Sequence, residues 1–199
     1  MVAATMSIKT IASNEVLNRI ETVVLLELHE KISISSLLNN AEAWDLLIGE
    51  KKDLEQIELL NVKSLFDLPT KTPTPAILHT LGLPYTTNRI KKKQLLFLHR
   101  LLNKDPNQQT RKMLKALDKL KVGWTKQVRS MLVLYQLPTD FTTIKNTPFP
   151  HWKNYVIAAL EKRHKERLLE DCHKKEHGQP IPKTKTTSII DEINNVNYK

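Results

Sequence analysis

The stretch NQQTRKMLKALDKLK, Asn107 to Lys121, decides how this chain is read. At about 100° per residue, Met113, Leu114, Ala116, Leu117 and Leu120 share one face of a helix. Arg111, Lys112, Lys115 and Lys119 form a narrow stripe on the other. Asp105-Pro106 breaks the chain before this helix, and Val122-Gly123 makes a tight turn after it. Trp124, Val128, Met131, Leu132 and Tyr135 then line the core face of a further helix, with Lys126 and Arg129 outward. Helix, short glycine-containing turn, helix is the connection of helix-turn-helix DNA readers. It is equally that of basic helical hairpins with no such role.

Charge sharpens the reading. From Arg89 to Leu132 there are thirteen Lys or Arg residues against two acidic ones, Asp105 and Asp118. Residues 1–72 carry seven basic and eleven acidic side chains, and Pro73 to Asn88 carry none of either sign. A step from −4 to +11 marks a surface suited to an anion. Nucleic acid is the leading candidate, because phosphate neutralisation supplies most non-specific affinity. A solvated helix face is the bland alternative.

The same periodicity extends in both directions and predicts an all-α fold. Four glycines among 199 residues agree with it, since strand-rich folds consume glycine at turns and bulges. Val16, Leu17, Ile20, Val23 and Val24 predict a first helix capped by Ser13 or Asn14. Leu37, Leu38, Ala41, Trp44 and Leu47 continue at helical steps to Gly49. A third helix follows from Lys51 to about Phe66, with Leu54, Ile57, Leu60 and Leu65 inward.

Thr72 to Pro75 reads as a linker whose end starts a short helix closed by Gly82. A helix from about Thr87 to Leu102 turns Ile90, Phe97, Leu98 and Leu101 inward and Lys92, Lys93, His99 and Arg100 outward. The last long helix runs from Trp152 to about Lys175. Three parts result: an acidic helical subdomain over 1–72, a basic one over 73–175, and a mobile tail over 176–199 with one short helix around Ser188 to Ile193.

Several function classes find no support. There is no adjacent Asp-Asp pair, Gly-rich phosphate loop or Gly-x-Ser-x-Gly elbow. Cys172, His173, His177 and His164 do not match structural zinc spacing, so neither metal nor other cofactor is expected. Cys172 is the only cysteine, which excludes an internal disulfide. Apolar runs such as Val23 to Leu26 are far too short to cross a bilayer. Met1 to Ser7 lacks the charged start of a signal peptide, so the expected place is intracellular, in cytoplasm or nucleus. Trp44, Trp124 and Trp152 read as core residues, with Trp124 the one that adjoins the basic stripe where a base could stack.

A resemblance follows from the order of several stretches. Ile34 to Trp44, Leu54-Glu55-Gln56-Ile57, Leu65 to Pro69 and Thr72-Pro73 come first. Ala76-Ile77, Gly82-Leu83-Pro84, Arg89-Ile90, Leu95 to Leu102, Gly123-Trp124 and Leu160 to Cys172 follow. Together they resemble the region downstream of the catalytic palm in non-LTR retrotransposon reverse transcriptases, over about residues 13 to 175. The resemblance implies a thumb and following linker region, either a truncated element copy or a separated gene fragment. Such a region holds a template–primer duplex by its phosphates. Its partners would be RNA, DNA or an RNA–DNA hybrid, with a separate palm domain as a further one.

This sequence departs from the family at Asn39-Asn40, where relatives more often show an aromatic-Gly pair. It also lacks the aromatic-Ala-Asp-Asp loop, so no polymerase activity of its own is expected. The residues expected to contact nucleic acid are Arg111, Lys112, Lys115, Lys119, Lys126 and Arg129, with Lys92, Lys93 and Arg100 behind them. The alternative is a helical protein-interaction module with a basic face for an acidic partner.

Overall fold

Prolines and left-handed residues divide the chain into helices, and in the computed structural model these occupy most of residues 22–46 and 48–176, the residues described. Among them no strand occurs, so the fold is all-α. Helix α1 is α-helical over Thr22–Leu28, widens to π-helix over His29–Ile34 and returns to α over Ser35–Leu37. The others are α2 (Ile48–Leu65), α3 (Thr74–Thr80), α4 (Thr86–Leu102), α5 (Gln109–Leu120), α6 (Gly123–Leu134), α7 (Phe141–Asn146) and α8 (Phe149–Glu176). The predicted start of the first helix, Leu47 and the tail from residue 177 lie outside the described residues.

One closing device recurs. After α3, Gly82 takes φ 62°, and the Leu83 and Gly82 amides donate to the Leu78 and His79 carbonyls. This is the Schellman arrangement that satisfies carbonyls left over at a helix end. Asp67, Lys121 and Gln136 occupy the same left-handed position after α2, α5 and α6, at φ 47°, 55° and 53°. There a side chain is sterically penalised. The turn before α6 therefore uses Lys121 as well as Gly123, which has φ 57°.

The expected helix through Ile34 to Leu47 is interrupted. Asn40 adopts φ 57°, Ala41–Ala43 forms a single 3₁₀ turn, and Trp44 is extended. Asparagine tolerates the left-handed region and competes for backbone hydrogen bonds, so Asn39-Asn40 overrides the apolar spacing. Gly49 accordingly lies inside the first turn of α2 instead of ending a helix. The inward face of α2 is also rotated from expectation. Glu58, Val62 and Leu65 are buried, while Ile57 and Leu60 are exposed.

Three apolar clusters hold the helices, and α4 serves two of them. The largest joins Leu95, Leu98, Leu101 and Leu102 to Leu114, Val128, Met131, Leu132, Ile144, Trp152, Val156 and Leu160. Trp152 is wholly buried at its centre, and its indole N–H donates to the Leu95 carbonyl at 3.0 Å. His99, expected outward, is buried beside it. Its ring stacks on Trp152 and its Nε2 lies 2.8 Å from the Thr147 carbonyl, which places a proton on that nitrogen. A second cluster groups Val62 with Ile77, Leu78, Leu83 and Tyr85, on both sides of residue 72. The third places Ile90 of α4 against Ile34, Leu38 and Ala41.

Candidate nucleic-acid interface

Helix α5 begins after the Asp105-Pro106 break, where the Asp105 carboxylate accepts from the Asn107 amide at 2.8 Å. Only Leu114 on it is fully buried, with Leu117 half-buried beside it. Those two contacts fix its rotation and turn the opposite side outward. Lys112, Lys115 and Lys119 are exposed and Arg111 is half-buried. None of the four has an ion-pair or hydrogen-bond partner among the described residues. Arg111, Lys115 and Lys119 recur every four residues, so each step advances about 6 Å along the axis.

Arg129 does something else. Its guanidinium forms a two-pronged pair with the Asp118 carboxylate, with Nη2 at 2.7 Å from Oδ2, and covers the Phe141 ring at 4.2 Å. The hydrogen bond to Asp118 holds the guanidinium still more firmly protonated. This pair clamps α5 to α6. It takes Arg129 out of the free set and cancels the one acidic charge of α5. Lys126, also on α6, is exposed and unpaired among the described residues.

The α4 cations divide in the same manner. Lys93 is half-buried and donates to the Leu38 carbonyl at 2.7 Å, capping the turn after α1. Lys92 is exposed at the edge of a cavity of about 410 Å³ between α1, α4 and α8. Arg100 is exposed with its guanidinium 5.5 Å from the Phe97 ring centre. Of the nine expected contact residues, α5 thus brings four together, α6 adds Lys126, and Lys93 and Arg129 are engaged within the fold. Trp124 is half-buried, donates to the Glu42 carbonyl at 2.8 Å and meets Phe97 edge-on. It is a packing residue, not an open stacking platform.

Sequence reasoning missed a second charged group, at the junction of α1, α2, α4 and α8. Arg89 pairs tightly with Glu30 and lies 3.6 Å from Glu58, which is only 3% exposed. Burial pushes the Glu58 carboxyl up to about 7, against the pull of Arg89. His29 is wholly buried with both ring nitrogens unpartnered. Burial, then the Arg89 cation, hold its imidazole below the ordinary value.

Next to this group, Arg167 covers the Tyr85 ring at 3.7 Å and donates to both Glu55 oxygens at 3.3 Å. The Tyr85 hydroxyl donates to Asp171 at 2.7 Å. The one signal was Glu58 itself, spaced four residues from both Leu54 and Val62.

Of the Cys172, His173, His177 and His164 set, His164 packs edge-on against Tyr85. Among the described residues no three His, Cys, Asp or Glu side chains are grouped to hold a metal ion. The side chains of Cys172 and His173, and all of His177, lie outside the described residues. No described helix is long and apolar enough to cross a membrane.

Comparison of the chain with protein-family models, with curated proteins and with solved structures finds no match. What α5 offers is a row of unpaired cations at regular axial spacing, on a helix locked to α6 by the Asp118–Arg129 clamp.

Proposed function

We propose that the chain is a helical module that holds nucleic acid by its phosphates, corresponding to the thumb and post-palm region of a non-LTR retrotransposon reverse transcriptase. The observation that carries the reading is the unpaired state of Arg111, Lys112, Lys115 and Lys119 on one side of α5. A helix that merely stays solvated tends to mix signs at i,i+3 and i,i+4 spacing, as α8 does with Arg163–Glu166 and Arg167–Asp171. On α5 the sole acid is consumed by Arg129, so the remaining field is of one sign. Contacts of this kind position a duplex without reading its sequence. The chain supplies the holding surface and not the metal-binding Asp residues of a polymerase site.

Salt titration tests the reading. With Arg111, Lys112, Lys115, Lys119 and Lys126 each neutralising one phosphate, log affinity for a duplex falls against log salt with slope about −4 to −5. Replacing Lys115 and Lys119 by glutamine lowers that slope by about 2 and leaves the fold intact. A slope near zero, or one unchanged in the double variant, removes the basis for the proposal.

A further inference from the structure

Helix α5 carries a second exposed feature that phosphate binding does not use. Met113, Ala116 and Leu120, expected in the core, face solvent, with Met113 61% and Leu120 66% exposed. At the helical repeat they fall within an arc of about 60°, and the four cations occupy the adjoining arc of about 100°. Lys112 and Lys119 border the ridge. Val122, 45% exposed, follows it at the end of the helix.

The spacing of the ridge, i, i+3 and i+7, is that by which one helix receives the apolar seam of another. Phosphate contacts need no apolar ridge, and single exposed apolar residues are ordinary, but three in register on one helix face are a packing surface with no partner among the described residues. The partner's charge follows from the flank. Lys112 and Lys119 lie along one side of the seam with no acid of this chain paired to them among the described residues. A helix laid in the seam would bring its own flanking side chains against them.

We infer that the Met113–Ala116–Leu120 ridge of α5 docks an acidic amphipathic helix of another protein, whose apolar seam covers the ridge and whose carboxylates pair with Lys112 and Lys119. The inference goes beyond phosphate holding and stands on the ridge, which that reading leaves unused. Because the two ligands share the cations but not the ridge, they are separable by mutation.

The probe is a synthetic helical peptide with leucines on one face and glutamates flanking them. A scrambled peptide of the same composition, in which the face is lost, is the control. In fluorescence anisotropy the amphipathic peptide binds at least tenfold more tightly than the scrambled one. Met113→Gln with Leu120→Gln abolishes that preference, while the salt slope for duplex binding is unchanged. Amide shifts of the unmutated protein, followed by NMR during the titration, concentrate on 113, 116 and 120. Equal binding of both peptides, or a double variant that keeps its preference, overturns the inference. So does a self-dimer, or binding to phosphatidylserine vesicles, that the same two substitutions remove.

Discussion

The two ends of α4 are held in different ways. Its C-terminal half sits in an apolar cluster around Trp152, where cohesion comes from burial and packing. Near its N-terminus, Arg89 meets Glu30 and Glu58 and lowers the pKa of the buried His29 through its charge, although Ile90 contributes an apolar contact. The difference teaches where the molecule can respond to conditions. Apolar packing is indifferent to protons, whereas a buried carboxyl and imidazole with displaced pKa values tie one seam of the fold to pH.

The comparison can be broken most forcefully from the apolar side. Trp152→Ala removes a fully buried ring and its hydrogen bond to Leu95 and costs about 3–5 kcal/mol. Urea unfolding measures it, and a loss below about 1 kcal/mol would show that the cluster is not the centre of stability. On the ionic side, Arg89→Ala leaves Glu30 and the buried Glu58 without their cation and costs about 3 kcal/mol. The loss should be larger at pH 8 than at pH 5, because Glu58 is charged only at the higher value.

Glu58→Gln sharpens the contrast further. The folded carboxyl titrates near 7, above its ordinary 4.5, so its neutral form is the one the fold accommodates. The contribution of Glu58 is complete below about 4.5 and is lost as pH rises through about 7. The glutamine variant escapes that loss. Its stability relative to the parent rises between pH 5 and pH 8 by about 2.5 kcal/mol, since each pKa unit carries about 1.4 kcal/mol. His29 acts in the opposite sense, its contribution lost as pH falls below its ordinary 6.5. A stability difference that is flat across this window would leave the junction no role in pH response. The smallest effect concerns neither region. Lys121→Gly relieves a left-handed residue at the end of α5 and stabilises by about 1 kcal/mol, visible as a raised Tm.

Much of this architecture was legible in the sequence. The all-α class, the limits of α4 to within a residue and the Gly82 cap followed from periodicity, proline and glycine, which act locally. What escaped was which side of a helix its neighbours cover. Spacing grouped Met113, Ala116 and Leu120 with Leu114 correctly. It could not show that the cluster around Trp152 takes in only Leu114 of this helix. Nor could it pair Arg129 with Asp118, because that choice depends on how the turn at Lys121 sets α6 against α5. Lys92, Lys93 and Arg100 likewise looked equivalent until the Leu38 carbonyl singled out Lys93.

The π-helical stretch of α1 has a bearing on the lengths this chain can adopt. A π turn holds one residue more than an α turn. Deleting a single residue between Glu30 and Ser33 would thus let α1 tighten into regular α-helix. The same excision in the middle of α4 would swing every following side chain by about 100° and carry Leu98 and Leu102 away from Trp152. Insertions and deletions should therefore be absorbed at that wide turn far more readily than in the central helix.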